Sequence, residues 1–464
     1  MSDSELSPAA DPRIDADDRL RPAFVREVLQ AVEAGDPGEA RMLVADLHPA
    51  DLADLFELTP SELREPLSDA LGDLVDADVF AELNAHVREE LVDTLEPGEV
   101  ADLAAELETD DAVALIEDLD EDERSAVLRA LEPDDRAAIE TALSYPEESA
   151  GRLMQQDLIA VPAHWSVGQT IDYLRDNQDL TTDFWEIFVV DPGHHPIGTC
   201  ALSWVLRSQR QVAMADIMQR EQTLIPVDMD QEEVALRFQK YALISAAVVD
   251  RSNRLVGMIT VDDIVHIIQQ EAGEDALRLS GAGEGDINAP LVPTIKVRLW
   301  WLVINLGTAI LAAAVVGLFE AEIAKLAVLA VLMGIVSGMG GNAGTQTLAV
   351  VVRALATNQL TSSNTRRMIG RELAIAGANG LALGILTGAG VWLIYGSVGL
   401  GVVMAAAMLI NNLVAGLSGI VIPVILEKFD IDPAISSAVF VTMMTDVMGF
   451  FSFLGLAKLA GLAG

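Results

Sequence analysis

Asp446 is a lone carboxylate in an otherwise uncharged run, FVTMMTDVMGFFSF (Phe440–Phe453). A charge at the middle of a bilayer costs about 2.5–3.5 kcal/mol on insertion scales, so a group placed there usually faces a cavity and has a task. The alternative is a buried Asp bonded to a nearby hydroxyl such as Thr442. A second run, GMGGNAGTQT (Gly338–Thr347), joins four glycines to Asn342, Thr345 and Gln346. Glycines lower helix propensity and can bare a backbone carbonyl. Amide and hydroxyl oxygens suit a hard cation. The run therefore predicts a broken helix lining a cation path, or else a small-residue packing interface. Glu372 beside Arg371 reads as an interfacial ion pair, and Asn411 and Asn412 as helix–helix hydrogen bonds. There is no Walker loop, no HExxH and no nucleophile with a paired base, so neither an ATP-driven pump nor an enzyme is expected.

The elements that would carry these residues are apolar segments near 298–318, 326–350, 371–395, 399–426 and 435–460, each long enough to cross a bilayer. Arg353, Arg366, Arg367 and Arg371 gather between the second and third, and Lys296 and Arg298 precede the first. The loops at Phe319–Lys325 and Tyr395–Leu400 are poor in basic residues. Basic loops stay in the cytosol, which predicts a cytoplasmic N-terminus and an outside C-terminus.

The remainder has a different character. Of the chain's net charge of −42, most lies in residues 1–150, which hold 43 acidic and 10 basic side chains against 7 and 9 in 296–464. So acidic a front would repel phosphate, which excludes a nucleic-acid binder. Salt adaptation of a halophilic protein and a cation-sensing surface both remain open, and the two are compatible. The single cysteine, Cys200, allows no intrachain disulfide. Residues 1–20 read as a disordered acidic tail without signal-peptide features. Residues 21–145 repeat a Leu-x-x-x-acid motif every 12 residues, at LEPGE (Leu95), LETDD (Leu107), LDEDE (Leu119) and LEPDD (Leu131). Each copy starts a short amphipathic helix, and helices this short must stack, as a superhelix or as a plain bundle.

Residues 146–270 read as strand–helix–strand–strand–helix, twice (146–210 and 211–270), with EIFVVD and SAAVVD as inner strands. RLVGMITVDDI and MADIM within this region resemble a tandem CBS pair. Residues 271–297 form a linker with a helical, acidic start. The fold class expected is a multi-domain membrane protein: a superhelical α-repeat domain, an α/β CBS pair, and an all-α five-helix membrane domain over 298–464.

Taken together, MGGNAGTQT…VVRALAT, RELAIAG, DIDPAISS, TMMTDVMGF and SYPEESAGRLM resemble the MgtE family of magnesium channels and transporters. The resemblance implies a homodimer whose pore is lined by the second and fifth spans. Asp446 would be its ion-binding carboxylate, with Asn342, Gly344 and Thr345 along the path. It further implies closure by cytosolic Mg2+ at Glu232, Asp263, Glu271, Glu274, Asp275 and Asp432. Thr260 and Asp263 match a weak nucleotide-binding pattern for ATP or another adenine nucleotide. Ala242 and His266 stand where acids are common in the family, and Gly334 and Val439 where prolines are common. Transport of another divalent ion such as Co2+, and a non-conducting nucleotide or ion sensor, are the rival readings.

Overall fold

The computed structural model describes residues 11–117, 119–177, 184–280, 287–361, 363–429, 431–434 and 437–462; the side chains of Asp275 and Ser280 are outside that description. It divides into two compact units, Met1–Gln269 and Gln270–Gly464.

The repeat motif marks helix starts. In the first unit α1 is Pro22–Glu33, α2 Pro37–Val44, α3 Pro49–Leu58, α4 Ser61–Leu71, α5 Ala77–Glu82 and α6 Ala85–Val92. There follow α7 (Pro97–Glu106), α8 (Thr109–Glu117), α9 (Glu121–Ala130) and α10 (Pro133–Leu143). Proline opens α7 and α10 at the position where its missing N–H costs nothing. Glu99 in the first turn of α7 accepts from the Glu96 amide at 2.9 Å. Packing runs between alternate helices, α2 on α4, α3 on α5, α7 on α9 and α8 on α10, around one apolar core. That is the stacked, superhelical alternative and not a plain bundle. Of the segment read as an acidic tail, residues 11–20 are described: Ile14 bridges Leu20, which is buried in this core; residues 1–10 lie outside the described residues.

The CBS pair follows. Its first half comprises β1 (Ala160–Pro162), α11 (Val167–Asp176), β2 (Glu186–Val190), β3 (Pro196–Ala201) and α12 (Leu202–Arg207). After α13 (Met214–Ile217) the second half has β4 (Leu224–Pro226), α14 (Gln231–Tyr241), β5 (Ser245–Val249), β6 (Leu255–Thr260) and α15 (Val261–Ser280). Each sheet pairs one parallel strand and one antiparallel strand on its middle strand. Each carries its irregularity at the same place, Val189/Val190 and Val248/Val249. The halves exchange segments. Ala150 and Gly151, ahead of β1 in sequence, donate to the Met229 and Val227 carbonyls of the second half at 2.7 and 2.9 Å. Met214 in turn is buried in the core of the first half. The His194–His195 turn is structural: Leu255 of the second half donates to the His194 carbonyl at 2.9 Å.

The second unit holds the end of α15 and then α16 (Leu291–Gly317), α17 (Glu320–Lys325), α18 (Val328–Ala356), α19 (Thr365–Tyr395), α20 (Val398–Lys428) and α21 (Ser437–Leu459). All but α15 and α17 are long and apolar enough to cross a membrane, within a few residues of the spans expected. Along α16, Trp300, Leu302, Val303, Leu306 and Ile310 are exposed on the protein surface, as suits contact with lipid. Glycine sets the tightest helix crossing. A Cβ on Gly384 or Gly388 of α19 would lie 2.7 or 2.6 Å from the Ala405 or Gly401 carbonyl of α20, so the two backbones touch.

Gly384→Ala must therefore force α19 and α20 apart and cost about 1–3 kcal/mol. Gly390→Ala, where a Cβ meets nothing within 4 Å, should be neutral or gain about 0.5–1 kcal/mol. Thermal unfolding of the detergent-solubilised variants separates the two; equal melting temperatures would show that the crossing tolerates a methyl.

Candidate pore and cation-sensing sites

Asp446 lies on α21, half-buried, and accepts a hydrogen bond from Ser337 of α18. The partner is thus a hydroxyl on a neighbouring helix, not Thr442, whose carbonyl instead accepts from Thr445 at 2.9 Å. The glycine-rich stretch does not break α18, which runs unbroken for 29 residues. Its glycines serve close packing: a Cβ on Gly340 would come 3.2 Å from Thr445 Cβ, and Gly344 is buried against Val441 of α21. With no carbonyl freed, the oxygens on offer are side-chain ones. Thr345 spends its hydroxyl on the Gly341 and Asn342 carbonyls at 3.1 and 3.0 Å. Asn342 is exposed, about 140° round the helix from Ser337 at ~100° per residue. Within the chain, then, Asp446 and Ser337 meet, while Asn342 and Thr345 take no part in that contact.

Asn411, fully buried, donates to the Val336 carbonyl of α18 at 2.8 Å, an interhelical bond. Asn412 instead donates to Met408 of its own helix at 2.9 Å. Glu372 is buried, and among the described residues it makes no ion pair with Arg371 or any other cation.

The expected regulatory acids fall into two sets. In the second unit, Arg278 near the end of α15 pairs with Glu274 at 2.6 Å and with Asp432 at 2.9 Å. Leu279 beside it packs with Leu348, Val352, Ala434 and Val441, so this end of α15 seats on α18 and α21. Two carboxylates expected to take a divalent ion share one guanidinium. Glu271 lies one turn earlier on α15, half-buried.

In the first unit, Asp263 opens α15 and accepts from Thr260 at 2.7 Å, so these two engage each other. Around Asp263 stand Glu108, Asp110 and Asp111 at the start of α8, and Asp262. Gln155 donates to Glu108, and Oδ1 of Asp110 is buried without a hydrogen-bond partner among the described residues. Burial first, then the neighbouring carboxylates, raise Glu108 to about 7 and Asp263 to about 6. The same causes push Asp110 well above the usual range and raise Asp111, which Arg88 and His266 partly offset. His266, standing where the resemblance implies an acid, thus offsets part of the rise at Asp111. Glu232 sits apart in sequence, half-buried in the first turn of α14. Among the described residues no three His, Cys, Asp or Glu side chains form a finished metal cage.

Glu108, Asp110 and Asp111 were not anticipated, yet a signal was present. They belong to LETDD, and of the four copies of the motif it alone has all its acids half-buried; Glu96, Asp120 and Asp134 of the others are exposed.

The comparisons agree along the chain. A family profile described as a divalent cation transporter, MgtE, matches residues 333–456; the MgtE intracellular N domain matches 47–148 and a CBS domain 214–270. The magnesium transporter MgtE of Enterococcus faecalis is 30% identical over 321 residues, 68% of this chain and 70% of the relative. The chain belongs to the MgtE family. The magnesium transporter MgtE of Thermus thermophilus is also 30% identical, over 319 residues, with the same coverage. A crystal structure of the cytosolic domain of the Mg2+ channel MgtE in complex with ATP is 28% identical, with a TM-score of 0.49 over 52% of this chain and 99% of that one. The family match unites the membrane helices around Asp446 with the acidic front as parts of one kind of protein.

The sign of the acidic cluster follows from its raised pKa values. Folded carboxyls that bind protons more tightly than unfolded ones destabilise the fold increasingly as pH rises from the ordinary carboxylate range through about 6–7. Without divalent ions, the melting temperature should fall between pH 5 and 8 by roughly 2–4 °C per kcal/mol of strain. Millimolar Mg2+, or Glu108→Gln with Asp110→Asn, should flatten that fall. A pH-independent melt would show that the cluster is not strained.

Proposed function

We propose that the protein carries Mg2+ across a membrane through a homodimeric pore in which Asp446 of each subunit binds the ion. The observation that supports this best is a carboxylate inside an apolar helix, held by a hydroxyl from the glycine-rich helix packed against it. Two such groups facing one another would balance the charge of one Mg2+. Mg2+ gives up water reluctantly, so the carboxylates would grip it through its hydration shell and select by size and charge. Asn342, exposed on the protomer, would then face the path from across the twofold. Asn342 and Thr345 offer oxygens to that shell, while Gly344 serves the helix crossing.

Gating follows from linkage: an ion that binds one state better shifts the population toward it. Cytosolic Mg2+ would relieve the repulsion among Glu108, Asp110, Asp111 and Asp263 and so favour the closed form. At the membrane end of the linker, Arg278 would supply part of the same neutralisation without metal, by clamping Glu274 and Asp432. The N-terminus would be cytosolic and the C-terminus outside.

Uptake of Mg2+ into liposomes tests the pore. Wild type should conduct when internal Mg2+ is low, and Asp446→Asn should lose at least about tenfold; equal conduction would remove Asp446 from the path. Co2+ carried as fast as Mg2+ would broaden the cargo. Arg278→Gln should raise uptake at low internal Mg2+ while leaving inhibition at high Mg2+ intact. Unchanged uptake would show that the clamp does not contribute to closure.

A further inference from the structure

Asn411 lies on α20, which contributes no residue to the proposed ion path, yet its amide reaches the neighbours of both partners of the Ser337–Asp446 contact. It is fully buried. Its amide donates to the carbonyl of Val336, the residue before Ser337. That carbonyl lies at the end of a helical turn closed by Gly340, and a Cβ on Gly340 would fall inside van der Waals contact with Asn411 Nδ2 and 3.2 Å from Thr445 Cβ. Thr445 is the residue before Asp446. On the other side, a Cβ on Gly449, one turn beyond Asp446, would lie 2.8 Å from the same nitrogen and 3.3 Å from Oδ1. Glycine on both helices thus admits one side chain between them, and it touches α18 and α21 beside the two residues that bond. Among the described residues Oδ1 of Asn411 has no hydrogen-bond partner. A buried acceptor left unpaired is costly, so apolar packing alone would favour a residue without it.

We infer that Asn411 is the positioning residue of the pore: by hydrogen-bonding α18 and wedging against α21, it fixes the rotation at which Ser337 holds the Asp446 carboxylate. The inference rests on the reading of Asp446 as the ion-binding group. Leucine has the same branched skeleton of side-chain heavy atoms as asparagine, in bulkier methyl groups, and lacks both polar atoms. With Asn411→Leu the wedge stays and the bond to Val336 goes. The Asp446 carboxylate should then lose its fixed aim, and binding of the ion should weaken while the fold persists.

The test is initial-rate Mg2+ uptake by full-length protein in liposomes, with melting temperatures measured alongside. Asn411→Leu should raise KM for Mg2+ about tenfold, with Vmax and melting temperature near wild type. Ser337→Ala should raise KM similarly, and the double variant should be little worse than either, since both act on one carboxylate. Should the leucine variant fold poorly, Asn411→Ala with Gly449→Ala refills the space from the α21 side without restoring the hydrogen bond. Its melting temperature should recover and its KM stay high. The inference is overturned if KM recovers with the packing, if KM is unchanged in Asn411→Leu, or if the effects of Asn411→Leu and Ser337→Ala multiply. An active Asp446→Asn in the same series would instead sink the pore reading and leave the Asn411 measurements to stand as packing effects.

Discussion

Removing a carboxylate from water is costly unless something replaces the lost hydration, and this protein places carboxylates where that cost cannot be avoided. Asp446 sits in an apolar helix with one hydroxyl for company. Glu108, Asp110, Asp111 and Asp263 crowd where α8 meets the start of α15, with Gln155, Thr260, Arg88 and His266 as partial relief. A cation bound at either place would replace part of the lost hydration, so on the proposed reading the same physical deficit would select cargo in one place and sense its concentration in the other.

The scaffold is shaped by that requirement. To bring Ser337 against Asp446, α18 and α21 must approach closely, and Gly340 and Gly344 remove the side chains that would prevent it. Close approach needs no break in α18. The helix keeps its hydrogen bonds, which a lipid-embedded backbone cannot give up without replacement. In the acidic front, helices too short to stand alone stack every second one upon another. The repeat therefore presents a helix N-terminus at regular intervals, and one of these, at α8, meets the CBS half that begins α15.

Much of this was legible. Asp446 stood out because charge inside a span is rare, and the 12-residue motif marked helix starts because its turn chemistry is local. The strand–helix–strand–strand–helix order of the CBS halves followed from short apolar runs such as EIFVV and SAAVV, which are buried almost throughout. What escaped depended on distance in sequence. Nothing in VSGMGG says that Ser337 faces α21, 109 residues on. Glycine density was read as a broken helix because propensity is local, whereas packing against α20 and α21 decides the matter. LETDD looked like its sister motifs until burial distinguished it. The exchange of Ala150 and Met214 between CBS halves is likewise invisible to a reading that takes segments in order.

Arg278 shows how a tethered charge can stand in for a free one. On the proposed reading, the guanidinium and a divalent ion would answer the same pair of carboxylates, the first always present and the second only above some concentration. A linker held only by metal would release α15 whenever the metal fell. One held partly by arginine keeps α15 near α18 and α21 and leaves the metal a smaller free-energy difference to supply. Because Coulomb attraction between half-exposed groups is screened by salt, that division shifts with ionic strength. In a chain with so acidic a front, if the linker gates as proposed, the Arg278 ion pairs are a place where salt would act on it directly.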